Sequence, residues 1–180
     1  MKPNKLKSIY KIMQFSACIA ASAFLPTVFA DVQSYNLHDG FYVSGNVGVG
    51  IKSYSTSGFA ANFFVGRQFN PHIGIEGGYG YYGVSSETSV LNVVAKGIVP
   101  ISTRGTLFAK LGGAYVELRN CFLGCTTYTQ FAPAFGAGFG VNITKQWAST
   151  LEYNGVYTTF TNNTGFVGGV TLGVTRYFDA

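Results

Sequence analysis

Histidine, cysteine and charge are scarce in this chain, and their scarcity excludes several classes of function. Of the 180 residues, two are histidine, three are cysteine, and 11% are charged. His38 and His72 lie far from each other and from Cys121 and Cys125 in the sequence, so the ligand cluster that a metal site needs is not expected. We therefore expect no metal, no cofactor and no catalytic residue.

Long apolar runs are also missing beyond the N-terminus. No run of 18 apolar residues follows Ala30, which excludes a helical membrane protein. Residues 1–30 have the organisation of a secretory signal peptide, with four lysines, a mostly apolar stretch and small residues at the cleavage site. Cleavage would leave 31–180 as one domain. A lipoprotein cysteine at Cys18 is the weaker alternative, because the aliphatic residue usual before such a cysteine is missing.

The net charge of +5 belongs mostly to this leader. Without its four lysines, eight basic and seven acidic residues remain, a balance of about +1. No basic patch interleaved with aromatic residues occurs either. Nucleic acid is therefore not an expected partner.

Two cysteines remain after processing, Cys121 and Cys125. An isolated pair at this spacing in an exported chain predicts a single disulfide.

What the chain does contain is alternation of apolar with small or polar residues. In the last segment Phe166, Val170 and Leu172 share one face, opposite Thr171 and Gly173. Eight such segments are predicted as strands, at 40–51, 59–69, 73–82, 90–101, 106–116, 131–143, 147–157 and 166–178. Short turns at 70–72, 102–105 and 144–146 alternate with longer loops at 52–58, 83–88, 117–130 and 158–165. This pattern predicts an all-β fold, an eight-stranded antiparallel up-and-down transmembrane β-barrel.

The larger apolar side chains are predicted to face lipid, and the smaller residues the lumen. The second face is mostly Gly, Ala, Ser and Asn, whereas a soluble sheet would cover it with charged residues. Outward aromatic residues near both strand ends predict two girdles. Their members are Phe41, Phe69, Trp147 and Phe178 by the short turns, and Phe59, Tyr81, Tyr115, Phe131, Tyr157 and Phe166 by the longer loops.

Several short motifs recur in a characteristic order and spacing: Gly40-Phe41-Tyr42-Val43, Gln68-Phe69-Asn70, Ile75-Glu76-Gly77-Gly78-Tyr79, Ala95-Lys96-Gly97, Leu151-Glu152-Tyr153 and Gly173-Val174-Thr175-Arg176-Tyr177-Phe178. Together they resemble the family of OmpA-type outer-membrane β-barrel domains. The resemblance covers the barrel only, and no peptidoglycan-binding domain is expected. We expect a monomer in the bacterial outer membrane, in contact with outer-membrane lipid and lipopolysaccharide.

Four charged residues fall on the inward face by parity: Glu76, Lys96, Lys110 and Glu152. Buried charges are tolerated when they are paired, so we predict a lumenal charge network. Catalysis by the two carboxylates is the less favoured alternative, because two lysines accompany them. Where the family's cluster often has a further Glu and Arg, this chain has Asn142 and Thr150, so gating is not expected.

We interpret the chain as a non-enzymatic barrel with a structural role in the envelope, or with a surface or host protein as partner. The candidate partner residues are Phe122, Leu123 and Tyr128, and a stapled loop without a ligand is the alternative. A narrow channel is an alternative function, although side chains are expected to fill the interior of an eight-stranded barrel. A lipid-modifying enzyme is disfavoured because both histidines would be periplasmic. A lipocalin-like carrier would need apolar side chains inside.

Overall fold

The chain forms a closed barrel of eight antiparallel strands. The computed structural model describes residues 39–52, 56–84, 86–121, 125–160 and 163–179. The strands are β1 Gly40–Lys52, β2 Thr56–Asn70, β3 Ile73–Val84, β4 Ser86–Pro100, β5 Gly105–Cys121, β6 Cys125–Asn142, β7 Trp147–Phe160 and β8 Asn163–Asp179. Each strand pairs with the next, and β1 pairs with β8. The predicted fold class and strand number are confirmed. Within the described ranges, no helix is long and apolar enough to cross a membrane.

Tight turns connect the strands at one end of the barrel, which we call the turn end. Asn70 Oδ1 accepts hydrogen bonds from the backbone N–H groups of His72 and Ile73, both at 2.9 Å. Thr144 Oγ1 accepts from the backbone of Gln146 at 3.2 Å and of Trp147 at 3.1 Å. Asn and Thr side chains satisfy turn backbones in this way, so the three short turns form where the sequence predicts them.

The opposite end, which we call the hairpin end, differs from the prediction. The four segments read as long loops are largely strand, and only 53–55, 85, 122–124 and 161–162 separate consecutive strands there. The largest error concerns 117–130, where β5 runs on to Cys121 and β6 begins at Cys125. The polar residues of this segment, including the threonines of 126–129, predict a loop. Threonine also has a high β-propensity, and a paired hairpin satisfies its own backbone in water.

The outer and inner faces follow the predicted parity. Leu172 is 60% exposed on the outside, whereas its neighbour Thr171 is fully buried. The aromatic residues of the turn end also lie on the outside near strand ends, as Phe41 and Phe178 show. At the other end Tyr115 pairs with Phe131, but β5 and β6 continue past them. The second girdle therefore encircles the barrel below its rim. The β5–β6 hairpin extends roughly 15 to 20 Å beyond this girdle.

The interior is not uniformly small and polar, contrary to the prediction. Between the charged residues and the hairpin end lies a packed apolar cluster that includes Tyr82, Val90, Val116 and Val156. Inward valines and alanines are hard to assign from sequence, because the same residue types also suit a lipid-facing position. The interior thus combines a charged network with an apolar cluster on its hairpin side.

One seam in the wall is incomplete. From the turn end, the β6–β7 pairing runs from Asn142 opposite Ala148 to Ala134 opposite Val156 and stops there, although both strands continue toward the hairpin end. Pro133 is the first residue of β6 without a β7 partner, and proline donates no backbone hydrogen bond. The two strands therefore separate toward the hairpin end.

Candidate functional site

The four charged residues predicted for the lumen meet in its middle. Lys110 Nζ lies 2.7 Å from both Glu76 Oε2 and Glu152 Oε2, and Lys96 Nζ lies 2.7 Å from Glu76 Oε1. All four side chains are at least 92% buried. The order Lys96–Glu76–Lys110–Glu152 forms a chain with no net charge across the lumen, from β3 and β4 through β5 to β7.

Neutral side chains donate further hydrogen bonds to one oxygen of each carboxylate. Tyr42 donates its hydroxyl hydrogen bond to Glu76 Oε1 at 2.7 Å. Asn154 Nδ2 donates to Glu152 Oε1 at 2.8 Å, and Asn46 Nδ2 donates to the same oxygen. A carboxylate buried in this way is tolerated because its charge is both paired and hydrogen-bonded. The sequence prediction found the ions and missed these three partners.

Aromatic rings enclose the two ammonium groups. Lys96 Nζ lies 4.5 Å from the centroid of Phe108, and Lys110 Nζ lies 4.1 Å from that of Phe64. Such contacts add cation–π attraction where water is excluded. Both rings could have been placed from the sequence. Phe64 and Phe108 lie at alternate positions with small or polar lumenal residues of their strands, so parity alone puts them inside the barrel.

Thr150 and Asn142 occupy the positions where the resemblance leads one to expect Arg and Glu. Thr150 Oγ1 lies 3.5 Å from Asn46 Oδ1 and so supports the asparagine that binds Glu152. Asn142 is buried and lines a cavity on the turn side. With neutral residues at both places, no second ion pair forms here for Glu152 or Lys110 to exchange with.

Small cavities flank the network. One of about 20 Å³ on the turn side is bordered by Lys96, Phe108 and Tyr177. Another of about 10 Å³ on the hairpin side is bordered by Lys110, Tyr82 and Asn154. Each has room for about one water molecule. The ion pairs lie between the two cavities, so the network separates them.

The other predicted site residues are placed differently. Tyr128 lies on β6 opposite Leu118 rather than in a loop, and it is 45% exposed. Phe122 and Leu123 lie outside the described residues, as do the side chains of Cys121 and Cys125, so the disulfide stays a prediction. The backbone does place Cys121 directly opposite Cys125. His72 lies in a tight turn, with Nδ1 3.3 Å from the carbonyl oxygen of Ile98, and His38 precedes the described residues.

No group of three or more metal-ligating side chains occurs among the described residues. An apolar outer wall, an inner charge network and tight turns at one end define a small outer-membrane β-barrel. The sequence matches the outer membrane protein beta-barrel domain over residues 20–178, and the chain belongs to that family. The predicted resemblance is thereby confirmed.

Solved structures of other outer-membrane barrels share the fold. Neisserial surface protein A superposes with a TM-score of 0.66 at 16% identity, covering 78% of this chain and 98% of its own. The N-terminal barrel domain of Pseudomonas aeruginosa OprF gives 0.62 at 14% identity, covering 78% and 99%. The attachment invasion locus protein Ail of Yersinia pestis gives 0.54 at 18% identity, with the same coverage. No curated protein matches this chain by sequence.

Proposed function

We propose that this protein is a non-enzymatic, monomeric outer-membrane barrel that acts through its outer surface and its hairpin end. The observation that carries this proposal is the plugged lumen, where the Lys96–Glu76–Lys110–Glu152 chain separates cavities of about one water each. Residues 1–30 are proposed to direct its export. A barrel filled in this way offers partners its outside only.

The β5–β6 hairpin is the best candidate contact surface. It continues past the girdle residues Tyr115 and Phe131, into the medium outside the cell if the short turns face the periplasm. Its described outer part exposes Tyr128 and the threonines of 126–129. Its one described basic residue there, Arg119, lies 3.6 Å from Glu117. This surface is nearly neutral and rich in hydroxyl groups, which favours a hydrogen-bonding protein partner.

A polyanion is a less fitting partner. Ail, which shares this fold, has been crystallised in complex with sucrose octasulfate, a heparin analogue. A sulfated ligand requires several unpaired basic residues, and the described hairpin pairs its arginine with a glutamate.

Surface capture from intact cells tests the proposal. We would display the full chain and a variant whose residues 118–128 are replaced by a two-residue turn, with cross-linking to neighbouring proteins. The matched control removes residues 159–164 of the β7–β8 hairpin. Loss of the cross-linked partner in the first variant alone is the expected result. Equal capture by all three proteins would contradict a contact role for this hairpin.

The two alternatives make different predictions. A narrow channel would conduct in planar bilayers, and its conductance would rise when Lys110→Met and Glu152→Gln together remove the Lys110–Glu152 ion pair. A lipid-modifying enzyme needs a nucleophile with a base beside it. Among the described residues, the one histidine, His72, lies at the turn end, far from the hairpin-side leaflet. Steady single-channel conductance would support the channel instead of the proposed function. Modified lipid after incubation would support the enzyme.

A further inference from the structure

Two arginines lie close together on the outer face near the turn end. Arg67 on β2 pairs with Phe41 of β1, and Arg176 on β8 pairs with Val43 of the same strand. Both arginines are exposed. With strands about 4.8 Å apart and about 3.3 Å of rise per residue, their Cα atoms are roughly 12 Å apart. The two cations therefore share one patch, although they are far apart in sequence.

Each guanidinium lies between two aromatic rings. Arg67 Cζ is 5.3 Å from the centroid of Phe41 and 5.7 Å from that of Phe69. Arg176 Cζ is 5.3 Å from Trp147 and 5.2 Å from Phe178. Aromatic contact of this kind holds a planar guanidinium in place while its N–H groups stay available for an anion. We call these six residues the arginine–aromatic row.

The charge of the row is not balanced within the described protein. Neither arginine forms an ion pair with a carboxylate of the described residues, whereas Arg119 at the other end lies 3.6 Å from Glu117. Arg67 and Arg176 each lie two residues nearer the bilayer than Phe69 and Phe178. A cation at this depth on a lipid face is costly unless an anion accompanies it.

On the other side of the turn end, the outward positions of the strands are apolar. On β3, β5 and β6 near this end they include Ile73, Ile75, Leu107 and Val141, all exposed. The exposed basic residues of that side, Arg104 and Lys145, lie in the turns beyond the strands. Arg67 and Arg176 are the described arginines that occupy outward strand positions near this end.

We propose that the arginine–aromatic row binds the phosphates of an anionic phospholipid in the leaflet nearer the turn end. Each guanidinium can hold one phosphate through two parallel hydrogen bonds. Two guanidinium groups in one patch can hold two phosphates, so a phospholipid that carries two phosphates is expected to bind better than one that carries a single phosphate. The acyl chains then lie along the apolar outer face of β1, against Val47 and Val49, which are both more than half exposed.

Native mass spectrometry of the full chain in detergent tests the site. The probes are cardiolipin, with two phosphates, phosphatidylglycerol, with one, and zwitterionic phosphatidylcholine, each at the same molar excess. The unaltered protein is expected to retain cardiolipin at least about tenfold better than phosphatidylcholine, with phosphatidylglycerol between them. Excess inorganic phosphate should leave the cardiolipin bound, since free phosphate lacks the acyl chains.

Matched variants locate the site. Arg67→Gln and Arg176→Gln should each lower cardiolipin retention about three- to tenfold, and the double variant should bring it to the phosphatidylcholine level. Arg119→Gln, an exposed arginine at the other end, should change nothing. Replacing both arginines by lysine keeps the charge but loses the two-pronged geometry, and should give intermediate retention. Equal retention of the three lipids, or full cardiolipin retention in a folded double Gln variant, would overturn the proposal.

Discussion

The side-chain amide of Gln130 takes the place of a backbone partner for Thr159. With the amide oriented so that both groups are satisfied, its oxygen accepts from the Thr159 N–H at 3.0 Å, and its nitrogen donates to the Thr159 carbonyl oxygen at 3.2 Å. The backbones of β6 and β7 are not paired at this level, since their ladder ends at Ala134 and Val156. An amide side chain carries the same donor and acceptor as a peptide group. Gln130 therefore bridges the open seam.

Removing this bridge should loosen the seam locally. Gln130→Ala is expected to cost about 1 kcal/mol and to speed hydrogen exchange at the Thr159 amide about fivefold. Thr129→Ala, on the neighbouring exposed position, is the control and should leave that amide unchanged. Identical exchange at Thr159 in both variants would show that the Gln130 bridge does not protect the seam.

The two network lysines should differ in their effect on stability. Lys110→Met leaves Glu152 without a cation and should cost about 3 to 5 kcal/mol in unfolding free energy, measured by urea titration in detergent or lipid. Lys96→Met should cost less, because Glu76 keeps Lys110 at 2.7 Å. Adding Glu152→Gln to Lys110→Met should recover part of the loss. Equal effects of the two lysine variants, or strictly additive losses in the double variant, would argue against a connected chain.

The orientation of β8 can be tested with a pair of neighbours. Leu172 is 60% exposed on the outside and Thr171 is fully buried. Leu172→Arg should destabilise by about 2 to 4 kcal/mol if the residue lies near the bilayer midplane, and the penalty should depend on lipid chain length. Thr171→Arg should be limited by space inside the barrel, without such dependence. Refolding in bilayers of different thickness measures both, and a Leu172→Arg penalty absent in lipid is the contrary result.

Gly48 is required because the backbone of β8 lies against it. A Cβ atom on Gly48 would collide with the carbonyl oxygen of Val170 and the Cα of Thr171, whereas a Cβ on Gly45 would meet nothing within 4 Å. Gly48→Ala should therefore cost about 1 to 3 kcal/mol, as overpacking does. Gly45→Ala, on the outer face of the same strand, should be near neutral. A thermal unfolding series that ranks the two equally would refute this packing argument.

The disulfide prediction can be checked directly. Residues opposite each other in an antiparallel pair have Cα atoms about 4.5 to 5.5 Å apart, within the range that a disulfide spans. The register places Cys121 opposite Cys125 in this way. Thiol labelling of the denatured, unreduced mature protein should modify neither Cys121 nor Cys125, and reduction should expose both while costing about 2 kcal/mol. Complete labelling before reduction is incompatible with the bond.

Period-two alternation was sufficient to predict the number of strands and their two faces. On every strand of a barrel in lipid, large apolar side chains face outward and small or polar side chains face the lumen, so the same pattern repeats eight times. Glu76 and Lys110 could be placed in the lumen by parity for the same reason. The length of β5 and β6 could not be predicted, since the residues from Thr126 to Thr129 are as compatible with a loop as with a solvent-exposed strand. The incomplete seam between β6 and β7 could not be predicted either. Backbone pairing ends at Pro133 and Gln130 bridges the gap beyond it, and both depend on the distance between two strands, which local sequence does not encode.

The pairing of β1 with β8 has a consequence for assembly. Every other pair joins strands that follow each other in the chain, so each can form as a local hairpin. The last pair joins Gly40 to Asp179, across almost the whole described chain. Contacts between such distant residues carry the largest loop-closure entropy and form slowly. Closure therefore cannot begin until the final strand has been synthesised and delivered, and until then β1 and β8 are exposed edges open to a chaperone or to a catalyst of insertion.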